Sequence, residues 1–129
     1  MSAGVLSELA TDATLLGELY GENKSLSLAV GAALTLGRRP EVEATVIERH
    51  LAECERAVAE RPGQLAEHFE ACRAAAADLT AMVREVDRDR CTPSRRRLSA
   101  VRASHRRLRR LVWEVFDCEY VPCGHERSH

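Results

Sequence analysis

Aromatic side chains are scarce in this sequence of 129 residues: they make up 4% of the chain, whereas hydrophobic residues together reach 45%. A core with so few rings must be built mainly from Leu, Val and Ala, which favours helices over a β-sandwich. A chain of this length can bury a core without disulfides. We therefore expect one all-α domain over residues 1–129, with residues 118–129 as a tail that contains Cys and His.

The sequence also lacks a long apolar run. The longest weakly polar stretch, residues 25–37, has 13 residues, and a helix needs about 20 to span a bilayer. Glu8 and Asp12 interrupt the N-terminal segment where a secretory signal would need apolar residues. These absences predict a cytoplasmic protein with no membrane partner, in which the five cysteines are thiols.

Signatures of common enzyme classes are missing as well. The Glu-x2-His spacing of a ferritin-like di-iron site occurs only at Glu126 and His129, at the end of the chain. No Gly-rich phosphate-binding loop and no Cys-x2-Cys-His haem motif occurs. The one catalytic candidate is a buried Cys/His pair such as Cys72 with His105. The sequence therefore favours a non-enzymatic binding or regulatory module.

Proline and glycine divide the chain into five helical segments, or four if the first two merge across Gly21. The segments cover residues 5–20, 23–36, 41–60 and 64–90, and a last helix follows a predicted N-cap at Ser94. The apolar positions of the fourth segment follow a regular 3-4 spacing: Leu65, His68, Cys72, Ala75, Leu79, Met82 and Val86. Short connections between long helices predict an antiparallel up-down bundle of four to five helices.

The pattern His-x3-Cys occurs twice, at His50 and Cys54 and again at His68 and Cys72. Residues four apart on a helix share one face, with Cβ atoms about 6 Å apart. The turn at residues 61–63 folds the two helices against each other, and two imidazoles with two thiolates suit tetrahedral Zn²⁺. The tail offers three further ligands: Cys118, Cys123 and His125. These patterns predict a zinc site, with Zn²⁺ as the cofactor.

A structural role is the alternative for each of these positions, because Cys behaves as a small buried hydrophobe and an inward His is commonly hydrogen-bonded in a core. Residues 49–54 and 67–72 resemble the start of the His-x3-Cys-x2-Cys motif of zinc-binding anti-sigma factors. Ala57 and Ala75 stand where that motif has its last Cys. The resemblance therefore lacks one of the ligands of that family.

The formal net charge of -1 argues against a general nucleic-acid binder, but the charge is unevenly distributed. Residues 1–90 hold 10 basic and 16 acidic side chains, residues 91–113 hold 8 and 0, and residues 114–129 hold 1 and 4. The positive charge is thus concentrated on the last helix.

On that helix the arginines lie opposite the apolar positions, and Trp113 lies on the arginine side. An indole there is within reach of the Arg109 and Arg110 guanidinium groups. The predicted partner-binding residues are Arg102, Arg106, Arg109, Arg110 and Trp113. This pattern predicts a face that docks an acidic protein surface in preference to nucleic acid. The alternative is a face that is simply solvated, or one that pairs with the acidic N-terminal helices within the chain or in a homodimer.

Overall fold

The computed structural model describes residues 3–38, 40, 42–89 and 92–117, and within these it shows four helices and no strand. The helices are α1 (Ala3–Thr35), α2 (Ala44–Glu60), α3 (Ala66–Asp89) and α4 (Arg95–Phe116). α1 and α3 each contact the other three helices, so that α2 and α4 lie on opposite sides of the α1/α3 pair. The predicted all-α helical bundle is confirmed.

α1 is continuous, so the first two predicted segments form one helix of 33 residues, about 50 Å long at 1.5 Å per residue. Gly21 lies inside it without breaking it. The helix ends at Thr35 and is followed by Gly37, which has a φ of +67°. The Gly37 amide donates to the Leu34 carbonyl at 3.1 Å and the Arg38 amide donates to the Ala33 carbonyl at 2.8 Å. A glycine in this conformation is a common helix end.

Of the starts of the other three helices, one agrees with the sequence pattern and two differ. Ser94 is the N-cap of α4, as predicted, and its hydroxyl accepts a hydrogen bond from the Arg97 amide at 3.2 Å. α2 begins at Ala44 and not at 41, because Glu43 has an extended backbone with φ -64° and ψ 139°. α3 begins at Ala66, two residues later than predicted, after a turn that starts at Gly63.

Ion pairs between helices, among the described residues, join the first half of one helix to the second half of another, or to the residue that follows its end. They are Arg61 with Asp12, Arg84 with Glu48, Arg97 with Glu85, and Arg107 with Glu67. This pattern is the one expected of antiparallel neighbours.

The core consists of two apolar clusters with polar residues between them. The larger cluster is built around Leu16, Leu19, Phe69, Cys72 and Leu108, and the smaller one around Leu26, Val30, Ile47, Leu79 and Met82. Asn23 on α1, His50 on α2 and His105 on α4 each lie between residues of the two clusters along their helix. We call these three residues the polar layer. It crosses the bundle where the sequence pattern predicted only inward His positions.

None of the described helices combines the length and the apolar character that crossing a membrane requires.

Candidate functional site

The polar layer is held together by the amide of Asn23. Its Nδ2 donates to His50 Nε2 at 3.3 Å, and its Oδ1 accepts from His105 Nδ1 at 3.0 Å. Asn23 and His50 are fully buried. With these hydrogen bonds, His50 carries its proton on Nδ1, and Nδ1 of His105 is also protonated. One amide therefore connects three helices.

His50 has two further polar neighbours. Glu22 Oε2 lies 3.6 Å from Nδ1, and Cys54 Sγ lies 3.9 Å from Nε2. Burial lowers the pKa of His50 below 6.5, and the nearby charge of Glu53 opposes this shift. On the other side of the layer, the Tyr20 ring stacks on His105 with centroids 5.9 Å apart. Because its pKa is lowered, His50 is a neutral hydrogen-bonding group at neutral pH.

The two described cysteines are buried thiols. Burial, together with the charge of nearby Glu22, raises the pKa of Cys54 from 9.0 to about 12. Burial also raises the pKa of Cys72, and neighbouring Cys54 adds to that shift. A nucleophilic cysteine needs a lowered pKa and some access to solvent. The structure therefore gives no support to catalysis by Cys72 with His105, whose Nδ1 is bonded to Asn23.

The structure describes four of the seven predicted zinc ligands. Three of them, His50, Cys54 and Cys72, are fully buried in the core. His68 is half-buried, and its Nδ1 is buried with no hydrogen-bond partner among the described residues. In that part of the chain, no three His, Cys, Asp or Glu side chains come together as a metal site. The remaining predicted ligands, Cys118, Cys123 and His125, lie outside the described residues, and zinc binding stays a prediction.

The α4 face predicted to bind a partner is exposed. Arg102, Arg106, Arg109 and Arg110 are exposed, and Trp113 is 39% exposed. The opposite side of the helix buries Leu108, Leu111 and Val112. We call the five exposed residues the Arg/Trp face. Two other arginines of α4, Arg97 and Arg107, pair with carboxylates of α3 and not with the acidic helices α1 and α2.

Sequence reasoning missed a groove between α1 and α4. Its volume is about 420 Å³, and its lining includes Ser27, Gly31 and Leu34 of α1, Leu98 and Val101 of α4, and Met82 of α3. We call it the α1/α4 groove. The signal that could have revealed it is the absence of charge over residues 25–37, which include all the lining residues that α1 contributes. A helix segment that is apolar on an exposed side contributes a wall that the protein itself does not cover.

Comparisons of this chain with protein-family models, with curated proteins and with solved structures find no match.

Proposed function

We propose that this protein is a small non-enzymatic binding module that docks an acidic partner protein through the Arg/Trp face of α4. The observation that carries the proposal is the placement of four exposed arginines beside an exposed Trp113, on a helix whose other side is packed into the core. The packed side fixes the orientation of the helix. The arginines are thereby presented together on a rigid element, which lowers the entropic cost of binding.

The chemistry of the face suits carboxylates. Guanidinium groups bind carboxylates through two parallel hydrogen bonds, and they are the cations preferred at protein interfaces. A Trp beside them supplies a large apolar anchor of the kind found at interface hot spots. α4 holds eight arginines and a single acidic residue, Glu114. The face therefore complements an acidic surface that also has an apolar depression.

The charge of the rest of the chain favours a protein over nucleic acid as the partner. The net charge of -1 means that the positive α4 is balanced by negative charge elsewhere. Long nucleic acids extend beyond one helix and would meet that negative charge, whereas an acidic patch on a protein meets α4 alone. Binding of either partner must weaken with salt.

The test compares a triple variant of α4 with a double variant of α2, and both remove the same charge. Arg109→Gln with Arg110→Gln, combined with Trp113→Leu, alters the Arg/Trp face, and Arg49→Gln with Arg56→Gln alters exposed positions of α2. Nuclease-treated lysate is passed over each immobilised protein, and captured proteins are quantified by mass spectrometry at low and high salt. We expect acidic proteins to be captured by the wild type and by the α2 variant, and to be lost from the α4 variant.

Two controls accompany this experiment. Helicity and melting temperature of the α4 variant should match those of the wild type, because the altered side chains lie outside the core. A labelled DNA duplex is titrated in parallel, and tighter binding of the duplex would assign the face to nucleic acid. Equal capture of acidic proteins by the two variants would exclude the Arg/Trp face as the docking site. Sedimentation of the protein alone shows whether it forms a homodimer. A dimer that is lost in the α4 variant would mean that a second copy occupies the Arg/Trp face.

A zinc ion held by the hairpin of α2 and α3 is a second proposal, favoured by one observation. Cys54 and Cys72 are both buried in the larger apolar cluster, and Nε2 of His50 lies 3.9 Å from Cys54 Sγ. Elemental analysis of protein purified without a metal-chelating tag should then find about one Zn²⁺ per chain. The double variant Cys54→Ala with Cys72→Ala should lose the metal and melt at a lower temperature. A wild type without zinc would exclude the proposal.

A further inference from the structure

The α1/α4 groove has the size and lining of a small-molecule site. Its volume of about 420 Å³ falls in the range of about 300–1,000 Å³ that is usual for such sites, which are mostly apolar with few polar groups. Leu34, Leu98 and Val101 contribute apolar side chains, and Met82 of α3 lines the groove as well. At Gly31, an added Cβ would meet no atom within 4 Å. The groove is therefore open at the wall formed by α1.

Positive charge lies along one side of the groove. Arg102 and Arg106 line it, and they also line an adjoining cavity of about 430 Å³ together with Arg95 and Ser99. Arg95 and Arg102 are seven residues apart, and Arg102 and Arg106 are four apart, so the three arginines lie on one face of α4. Neither cavity has a carboxylate among its described lining residues. An anion at this position would meet guanidinium groups without a competing acid.

The length of the groove distinguishes between occupants. It extends from Ser27 to Thr35 on α1 and from Leu98 to Arg106 on α4, which is about 12 Å at 1.5 Å per residue. A helix of a partner protein would be in contact over only about two turns. A flexible alkyl chain with one anionic head fits both the short apolar channel and the arginines beside it.

We propose that the α1/α4 groove binds a medium-chain carboxylate. The alkyl chain lies between Leu34 of α1 and Leu98 of α4, and the carboxylate is held by Arg102 and Arg106. This site goes beyond the docking proposal, because its apolar walls play no part in the Arg/Trp face. The two proposals share Arg102 and Arg106, so that a bound carboxylate would occupy two of the arginines of that face.

The first experiment measures binding of decanoate to the full chain by isothermal titration calorimetry, below the concentration at which decanoate forms micelles. Butyrate has the same head with a shorter chain, and decanol has the same chain without the charge. We expect saturable binding of one decanoate per chain, and binding of butyrate and decanol that is weaker by at least about tenfold. Equal binding of decanol would exclude a role for the arginines.

The second experiment alters the apolar half and the arginine half of the site separately, each with a matched control variant. Gly31→Phe should fill the groove and weaken decanoate binding at least about tenfold. Leu28→Phe adds an aromatic ring at an exposed position of α1 outside the groove lining and should leave binding nearly unchanged. Arg102→Gln with Arg106→Gln should weaken binding to a similar degree, whereas Arg109→Gln with Arg110→Gln removes the same charge outside the groove and should not. The arginine variants alter exposed side chains, so they test the site even if Gly31→Phe fails to fold.

Three outcomes would overturn the proposal. They are absence of saturable decanoate binding, full binding by Gly31→Phe, and full binding by the Arg102 and Arg106 double variant. An acidic amphipathic peptide that binds more tightly than decanoate and is blocked by Gly31→Phe would assign the groove to a helix, which also contradicts the proposal. Loss of partner capture in the Arg109 and Arg110 variant, with decanoate binding intact, separates this site from the docking face.

Discussion

Asn23 and His105 are hydrogen-bonded across the bundle, Oδ1 to Nδ1 at 3.0 Å, although 82 residues separate them in the chain. The same amide donates to His50 on α2. The apolar clusters on either side could pack in more than one axial alignment, but these hydrogen bonds form in only one. We infer that the polar layer fixes the register of α1, α2 and α4, as single buried polar residues do in coiled coils.

The first prediction concerns the amide that joins the layer. Asn23→Leu removes the hydrogen bonds to His50 Nε2 and to His105 Nδ1. His50 is fully buried, and a buried polar group left unpaired costs about 1–3 kcal/mol. We expect the free energy of unfolding, measured in urea, to fall by about that amount or more.

Thr80→Val is the matched control for this variant. Thr80 is also buried, but its hydroxyl bonds only to the Ala76 carbonyl of its own helix. Its loss should therefore cost less than the loss of the Asn23 amide. An Asn23→Leu protein as stable as the wild type would show that the layer contributes nothing to register.

The sequence pattern predicted that His50 shares a helix face with Cys54 and that His105 is buried. It missed the amide between these two imidazoles. His50 and His105 occupy positions of regular helical spacing, whereas Asn23 was placed at the start of a second segment after Gly21. A glycine inside a helix costs about 1 kcal/mol relative to Ala, and packing of α1 against three other helices outweighs that cost. The role of Asn23 depends on this continuity, which no local pattern contains.

The candidate sites differ in how far the sequence could predict them. The Arg/Trp face follows from the 100° rotation per residue of one helix, and its exposure was predicted correctly. The zinc hypothesis needed two helices in a particular rotation, and in the structure His50 Nε2 faces Asn23. The α1/α4 groove depends on the distance between two helices that are far apart in the chain, which periodicity within each helix does not determine.

The second prediction follows from the lowered pKa of His50. Since the folded protein has a His50 pKa below 6.5, the unfolded chain binds more protons as the pH falls through 6.5. The stabilisation is therefore fully present above pH 6.5 and is lost as the pH falls towards the lower folded pKa. We expect the free energy of unfolding, measured with EDTA present, to decrease between about pH 7 and 5.5.

The control for this pH dependence is His50→Gln, which cannot titrate and should have a flatter profile in the same range. The two carboxyl groups with lowered pKa values titrate outside it. A hydrogen bond from Arg73 lowers the pKa of Glu70 below 4.5, and a hydrogen bond from the Ser94 amide does the same for Glu85. Identical slopes in the wild type and in His50→Gln would contradict the assignment to His50.

The third prediction concerns the buried thiols. In a variant with Cys91, Cys118 and Cys123 replaced by Ser, only Cys54 and Cys72 remain. A rise in pKa from 9.0 to about 12 lowers the thiolate fraction of Cys54 about a thousandfold. We expect a disulfide reagent to react with both thiols rapidly in denaturant and extremely slowly in the folded protein.

Slow reaction of the two thiols could result from burial of the protonated groups or from binding to zinc, and a chelator distinguishes these explanations. Protonated core thiols should react equally slowly with and without EDTA. Zinc-bound thiolates should be exposed when the metal is removed, so a burst of reaction after addition of EDTA would favour the zinc proposal. Rapid reaction in the folded protein without a chelator would contradict the buried environment itself.

The fourth prediction compares Gly31, within the groove-lining part of α1, with Gly37, just after the end of that helix. Gly31 lies in the helix with open space around it, so Gly31→Ala should raise the free energy of unfolding by about 0.5–1 kcal/mol. Gly37 follows the end of the helix with φ at +67°, a conformation that costs an alanine about 1–2 kcal/mol. Each variant adds one methyl group, yet urea unfolding should show shifts of opposite sign. A stabilising Gly37→Ala would mean that α1 does not end before this residue, and a destabilising Gly31→Ala would mean that the groove is closed at its α1 wall.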